Sequence, residues 1–350
     1  MRQLIKILRW QINALILKVR YKYIISLKII FNPLLGFYFI LFITILTSIR
    51  TTSYFLIWIC LEINIIIFLP IISRESGLAL ENAIKYFLLQ RWASIIYLTG
   101  LTFSFFFFNS NNLLLILRII IKLGSAPFHG WFISIIKRSS LWILFLLSTI
   151  QKLIPLLILS NLNIGNSLII FFLLITSLFV ILIIPRVINL TKILGISSLT
   201  NLNWFIISSQ ISAKIIIIYF RIYFILILRI VFIYNSNGTN SLIQMNNINN
   251  FDKIILIFIL ISLGGLPPFL GFLSKVLVLK LAIYIFNYIF LLIIIYTSLI
   301  ILYCYISRFF FLLTYSPKIK FDTKNFYSSK KKIIFLITIL FFNMLIIIYI

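Results

Sequence analysis

Charged side chains lie inside long apolar stretches of this 350-residue sequence. A charge at the centre of a lipid bilayer costs about 3 kcal/mol on insertion scales, and such residues mark ion or proton pathways in membrane proteins. The residues of this kind are Glu62, Arg91, Arg118, Lys122, Lys152, Arg221, Arg229 and Lys275. Their chemistry is the uptake and release of protons or the binding of ions.

The lysines carry the most information about function. Burial favours the neutral form of a lysine, whereas a nearby carboxylate favours the charged form. Arginine cannot switch in this way, because its guanidinium stays charged in proteins. Glu62 is the acid that lies clearly inside an apolar stretch. The pattern indicates a proton path through lysines with one carboxylate that biases it. In the structural alternative, each lysine reaches the membrane interface or binds a helix carbonyl, and a protonated Glu62 binds a backbone carbonyl.

Prolines accompany three of these lysines. Proline lacks an amide proton, so it frees the carbonyl four residues earlier, and in lipid that carbonyl needs protein or water. We therefore predict helix breaks beside Lys122, Lys152 and Lys275. The residues assigned to these breaks are Pro127, Pro155, Gly264, Gly265, Pro267 and Pro268.

Two further residues are candidate relays, His129 in "APFHGW" and Lys192. Imidazole titrates near neutral pH, although the residues slightly favour a role for His129 as a structural hydrogen-bond donor. Cys60 and Cys304 lie in separate apolar stretches without CxxC spacing. The sequence also has no GxGxxG, Walker or GxSxG motif and no clustered metal ligands. We therefore expect no metal and no cofactor held by this chain.

The elements that position these residues are membrane helices. Hydrophobic residues make up 63% of the sequence and charged residues 10%, with a mean hydropathy of +1.20. Apolar stretches of 18 or more residues predict an all-α polytopic membrane bundle of about eleven transmembrane helices. Two of these helices, 113–136 and 253–282, are predicted to be broken. The spans are 31–49, 54–72, 84–108, 113–136, 141–160, 166–184, 194–213, 215–234, 253–282, 284–307 and 333–350.

The net charge of +26 comes from 31 basic and five acidic residues. Most basic residues lie in short loops on one side of the spans, which is the positive-inside pattern and argues against nucleic acid as a partner. This pattern predicts an inside N-terminus and an outside C-terminus. Residues 1–30 form a basic N-terminal extension, suited to the membrane surface, ahead of a transmembrane domain at 31–350.

A set of motifs in a fixed order resembles the antiporter-like membrane subunits of respiratory complex I, the mitochondrial NADH dehydrogenase. The motifs are "FNPLLGFYFILF", "CLEINIIIFLP", "ENAIKYFLLQRWAS", "KLGSAPFHGWF", "STIQKLIPL", "TKILGISSLTNLNW" and "SLGGLPPFLGFLSK". The resemblance implies inverted helical repeats, each with a broken helix, around a chain of buried lysines. It assigns the glutamate to Glu62 and its paired lysine to Lys122. The connecting and exit lysines fall on Lys152 and Lys275.

The same resemblance implies the setting of the chain. Other complex I membrane subunits and membrane lipid would be its partners, and FMN, iron–sulfur clusters and ubiquinone would be bound by partner subunits. The location implied is the mitochondrial inner membrane, with the N-terminus in the matrix and the C-terminus in the intermembrane space. The sequence departs from the family at Asn201, where many members have histidine, and at Ser274, where proline is common.

Two other functions remain open on the sequence alone. A stand-alone cation/proton antiporter would use the same buried charges. A scaffold subunit that transports no protons would only hold the neighbouring subunits in position. That role does not require intramembrane lysines, whose burial costs free energy.

Overall fold

The computed structural model describes residues 33–51, 53–74, 79–106, 113–161, 166–187, 189–237, 250–267 and 269–314. Throughout these ranges the regular structure is helical, and they contain no strand. The helices are α1 Pro33–Arg50, α2 Tyr54–Ser73, α3 Ala79–Phe106, α4 Leu113–Leu123, α5 Gly130–Arg138, α6 Leu141–Ser148, α7 Ile150–Asn161, α8 Asn166–Ile183, α9 Leu190–Ile211, α10 Ala213–Asn237, α11 Asn250–Gly264, α12 Leu270–Ala282 and α13 Tyr288–Thr314. A short 3-10 turn at Ile184–Arg186 follows α8.

Five helical segments in the described part of the chain are long and apolar enough to cross a membrane. These segments are Tyr54–Ser73, Leu141–Asn161, Ser167–Arg186, Ala213–Asn235 and Tyr288–Ser307. About 20 apolar residues in a helix match the thickness of the hydrocarbon core. The prediction of an all-α polytopic membrane bundle is therefore confirmed.

The predicted spans between residues 31 and 307 each fall on one or two of these helices. The two spans expected to be broken are broken: 113–136 divides into α4 and α5, and 253–282 divides into α11 and α12. The predicted span 333–350 and the extension 1–30 lie outside the described residues. The total number of helices and the location of both termini stay predictions.

The chain divides into two compact units at Ile71 and Ile72. In the first unit, the Thr47 hydroxyl of α1 lies 3.3 Å from the Cys60 sulfur of α2. The second unit contains helices α3 to α13. The buried lysines predicted from the sequence belong to the second unit, and Glu62 belongs to the first.

Helix α9 is the buried axis of the second unit. It packs against α5, α6, α7, α8, α10, α12 and α13. A helix that is buried all round is normally apolar all round. In α9, however, the buried side chains include Ser197, Ser198, Thr200, Asn201, Asn203, Ser208 and Ser209. The axis of this unit is thus both buried and rich in polar groups.

Candidate functional site

Lys275 lies at the break between α11 and α12. Its Nζ donates hydrogen bonds to the carbonyl oxygens of Leu263, at 3.2 Å, and Gly264, at 2.8 Å. The side chain is 8% exposed. The last carbonyls of a helix have no partner within the helix and carry partial negative charge, so a lysine amine satisfies both needs. The break predicted beside Lys275 is confirmed.

Two glycines make this arrangement sterically feasible. Gly265 has φ +90°, and a Cβ there would lie 2.9 Å from Lys275 Nζ. A Cβ on Gly271 would lie 1.7 Å from the carbonyl oxygen of Ser262, which no side chain tolerates. The backbones of α11 and α12 therefore approach each other only because Gly271 has no side chain. Pro267 lies in the intervening turn, and Pro268 lies outside the described residues.

At the first break, between α4 and α5, different side chains donate hydrogen bonds to the carbonyls at the end of the helix. The Trp131 indole donates to the Ile121 oxygen at 3.2 Å, and the Gln90 amide donates to the Lys122 oxygen at 3.5 Å. The Ser125 hydroxyl donates to the Ile120 oxygen at 3.3 Å. Gly124, with φ +68°, ends α4. Neutral side chains thus complete this helix end, and Pro127 lies in the turn that follows.

Lys122 and Arg118 share one face of α4, four residues apart, as the sequence predicts. The Lys122 side chain is 6% exposed and that of Arg118 is fully buried. The Arg118 guanidinium carbon lies 3.0 Å from the ring centroid of Tyr97, so the cation stacks on an aromatic face. Both cations are therefore inside the helix bundle, not at its surface.

Lys152 lies on α7 and is 2% exposed. Its Nζ donates to the carbonyl oxygen of Ser198 on α9 at 3.1 Å and lies 4.9 Å from the Phe132 ring centroid. The carbonyl and the ring face each offer negative partial charge to an ammonium group. The second buried lysine thus also binds a backbone carbonyl rather than a carboxylate, which is the contact that the structural alternative expects and that proton transfer also allows.

The helix break predicted at Pro155 is displaced. Pro155 lies inside α7, and the interruption lies earlier, at Thr149 between α6 and α7. Both the amide and the hydroxyl of Thr149 donate to the Phe145 oxygen, at 3.0 and 2.6 Å. A threonine that binds back to its own helix in this way bends the helix. The position of proline alone does not predict this bend, because the hydroxyl of Thr149 contributes to it.

A pair of hydroxyls was not predicted from the sequence. Tyr305 of α13 donates to the Ser197 hydroxyl of α9 at 2.6 Å. Close by, Tyr219 of α10 donates to the Asn201 side-chain oxygen at 2.9 Å, and the Asn201 amide donates to the Ser197 carbonyl at 3.0 Å. The polar run "ISSLTNLNW" in an apolar chain was the available signal. Asn201, where the sequence resemblance leads one to expect histidine, is thus held between Tyr219 and its own helix.

Three other predicted residues are placed separately. Glu62 lies on α2 with 8% of its side chain exposed, and its pairing with Lys122 stays a prediction. The His129 ring directly precedes α5 and packs on Phe179, with centroids 3.4 Å apart. Lys192 is half-buried in the first turn of α9. The relay roles of His129 and Lys192 stay predictions.

Comparison with known proteins places this site in a family. Residues 51–301 match the model described as NADH:quinone oxidoreductase/Mrp antiporter, TM. NADH-ubiquinone oxidoreductase chain 2 of Artemia franciscana is 36% identical over 236 residues, which is 67% of this chain and 76% of the relative. The Anopheles gambiae chain 2 is 32% identical over 312 residues, covering 83% and 89% of the two chains. The chain belongs to the NADH:quinone oxidoreductase/Mrp antiporter family.

The solved structures show the same fold. A chain in the structure of respiratory complex I from Thermus thermophilus with bound aureothin has a TM-score of 0.67 at 18% identity. The match covers 75% of this chain and 66% of that chain. At this identity the likeness concerns the fold alone. The resemblance found in the sequence motifs is confirmed, and the family assignment places the chain among the membrane subunits of this class.

Within the described ranges, no group of three or more His, Cys, Asp or Glu side chains is arranged to hold a metal ion. The polar chemistry of the described bundle is instead that of buried amines, hydroxyls and backbone carbonyls. Such groups exchange protons and hydrogen bonds.

Proposed function

We infer that this chain is a proton-translocating membrane subunit of NADH:ubiquinone oxidoreductase, the chain 2 type, in the mitochondrial inner membrane. The family match and the chain 2 relatives support the assignment to the complex. Other membrane subunits of the complex would surround the chain. Quinone reduction would occur in those partners, which would also hold FMN, the iron–sulfur clusters and ubiquinone.

The observation that carries this function is the setting of Lys152 and Lys275. Both amines are buried, and both bind backbone carbonyls on neighbouring helices. A carbonyl accepts a hydrogen bond from an ammonium and from a neutral amine, so each site holds its lysine in either protonation state. A carboxylate partner would instead fix the ammonium form. Helix α9 packs against both α7 and α12, which carry the two lysines.

The proposed route begins at Glu62 and Lys122 and continues through Lys152 to Lys275. When Glu62 faces Lys122, both groups keep their charges; when that influence is withdrawn, Lys122 passes its proton to Lys152 and Lys275 releases one. His129 and Lys192 are proposed as relays at the sides of this route. The charge of the loops supports an N-terminus in the matrix and a C-terminus in the intermembrane space.

Substitution of the two lysines in the assembled complex, reconstituted in liposomes, tests this function. Lys152→Met and Lys275→Met should each lower proton-coupled NADH:ubiquinone turnover, by roughly a hundredfold or more if the amine acts in proton transfer. Lys→Arg at either position should have a similar effect, because guanidinium keeps its charge but does not release a proton. Activity that Lys→Arg preserves would mean that only the charge is required.

Matched controls are available on the same elements. Lys280, on α12 with Lys275, is exposed, and Lys137, on α5, is also exposed. Lys280→Met and Lys137→Met should leave coupled turnover per assembled complex unchanged. Normal proton movement in both buried-lysine variants would refute the proposed function. Purification of a stable, active chain free of NADH:ubiquinone reductase activity would instead support the stand-alone antiporter.

A further inference from the structure

We propose that the hydroxyls of Tyr305 and Ser197 form a proton relay between Lys152 and Lys275. This inference rests on the proposed function, because it adds the groups between two of its lysines. Tyr305 lies on α13 and is almost fully buried. Ser197 lies on the buried helix α9. The relay therefore joins two helices, neither of which carries Lys152 or Lys275.

The contact between the two hydroxyls has the geometry that proton exchange needs. The oxygens are 2.6 Å apart, at the short end of O–H···O hydrogen bonds. The Ser197 hydroxyl in turn donates to the Leu194 oxygen at 2.9 Å. Each hydroxyl has one proton to give and lone pairs to accept another, so rotation of both groups reverses the direction of donation. The pair can thus conduct in either direction.

One end of the pair lies beside Lys152. Ser198, the residue after Ser197, accepts the hydrogen bond from Lys152 Nζ through its carbonyl oxygen. The amine is thus bound by the residue that follows Ser197 in α9. The charged end of Lys152 is brought to the same turn of α9 as the relay.

The helix that carries Tyr305 also packs on the break that holds Lys275. Leu302, one turn before Tyr305 on α13, packs on Gly264, where an added Cβ would lie 2.9 Å from Leu302 Cδ1. The Gly264 carbonyl is the one that accepts from Lys275 at 2.8 Å. Long helical side chains lean towards the N-terminus of their helix, so the Tyr305 ring extends over the turn that contains Leu302. Helix α13 thus contributes both the phenol that binds Ser197 and the side chain that packs on the break.

Packing alone does not call for a hydroxyl at this position. A phenylalanine fills nearly the same volume, whereas a buried hydroxyl destabilises the fold unless it is hydrogen-bonded. Tyr305 meets that requirement through Ser197, on the helix that also binds Lys152. The Tyr305 hydroxyl therefore has a hydrogen-bond partner, Ser197, that is placed for proton transfer as well as for packing.

The proton balance of the step is simple. The Lys152 ammonium gives a proton, through water, to the Ser197 oxygen as the Ser197 proton moves to the Tyr305 oxygen. The original Tyr305 proton passes, again through water, to the neutral amine of Lys275. Both hydroxyls are neutral before and after the transfer. Lys152 ends neutral and Lys275 ends as an ammonium.

Tyr305→Phe in the assembled complex, reconstituted in liposomes, tests the relay. It should lower proton-coupled NADH:ubiquinone turnover per assembled complex by roughly a hundredfold. The ratio of turnover in H2O to turnover in D2O should also differ from that of the unsubstituted complex. Tyr303→Phe is the matched control, because Tyr303 lies on the same helix and is 70% exposed. If Tyr305 has only a structural role, Tyr305→Phe will reduce the amount of assembled complex but leave its turnover per complex and its D2O response unchanged. That result would overturn the inference.

The partner variant provides a second and independent readout. Ser197→Ala should reproduce the loss, Ser197→Thr should retain activity, and the double variant should be no worse than either single variant, as expected for residues acting together. Additive losses would overturn the relay. If Tyr305→Phe fails to assemble, Ser197→Ala and Ser197→Thr decide the matter. If Tyr305→Phe and Ser197→Ala have normal turnover while Lys152→Met and Lys275→Met lose it, the relay is refuted and the proposed function stands. If all four variants have normal turnover, the proposed function is refuted.

Discussion

The two helix breaks of the second unit have the same backbone form and different chemistry. In each, a glycine with positive φ ends the first helix: Gly124 after α4 and Gly265 after α11. In each, the absent Cβ leaves room for the side chain that binds the exposed carbonyls. At the first break that side chain is Trp131, and at the second it is Lys275.

The side chain that binds the free carbonyls at a helix end can therefore have a structural role or a functional one. An indole binds a carbonyl without gaining or losing a proton, so the first break can be stable without changing its charge. An amine at the second break binds the same kind of group and can also change protonation state. At the first break, residues other than Lys122 donate hydrogen bonds to the free carbonyls. At the second break, Lys275 itself is the donor.

The largest effect is expected from a substitution that separates α11 from α12. Gly271→Ala places a Cβ within 1.7 Å of the Ser262 oxygen, so the helices must move apart. We expect loss of more than about 3 kcal/mol of stability, as for severe overpacking, and little assembled complex. Native gel electrophoresis of solubilised membranes measures this. Gly130→Ala, at the start of α5 with nothing within 4 Å, is the control and should assemble normally.

A smaller effect is expected at the two positive-φ glycines. Gly124→Ala and Gly265→Ala should each destabilise the complex by about 1–2 kcal/mol, because an L-residue is strained in this conformation. At Gly265 the added Cβ also displaces Lys275 Nζ, so proton-coupled turnover should fall. At Gly124 it displaces the Trp131 ring, and turnover per complex should remain. Equal loss of turnover in both variants would contradict the distinction between the breaks.

The smallest effect is expected at Trp131. Trp131→Phe removes the indole donor, but the Ile121 oxygen keeps its hydrogen bond from the Gly124 amide at 3.1 Å. The loss of this hydrogen bond should therefore cost about 1 kcal/mol, its net value. Thermal inactivation of the complex measures it, with Trp92→Phe on the exposed face of α3 as control. A marked loss of proton-coupled turnover per complex would show that the first break also has a protonic role.

The sequence located much of the candidate site because intramembrane charge is costly and therefore conspicuous. Lys122, Lys152 and Lys275 were found by their position in apolar stretches, and the broken helices by their glycines and prolines. The hydroxyl pair of Tyr305 and Ser197 was missed, since tyrosine and serine are common in membrane helices. The break near Lys152 was misplaced, because the threonine hydrogen bonds that bend the helix are indistinguishable in sequence from ordinary ones.

The sequence by itself determined the membrane class, the helix positions and the identity of the costly charges, because each depends on local composition and on the length of an apolar run. Only the tertiary structure decided which groups Lys152 and Lys275 bind. Lys152 meets Ser198 across 46 residues of chain, and Tyr305 meets Ser197 across 108. Such partners are set by how helices pack around α9, and the packing of apolar surfaces leaves no periodic signal of which polar groups will face each other.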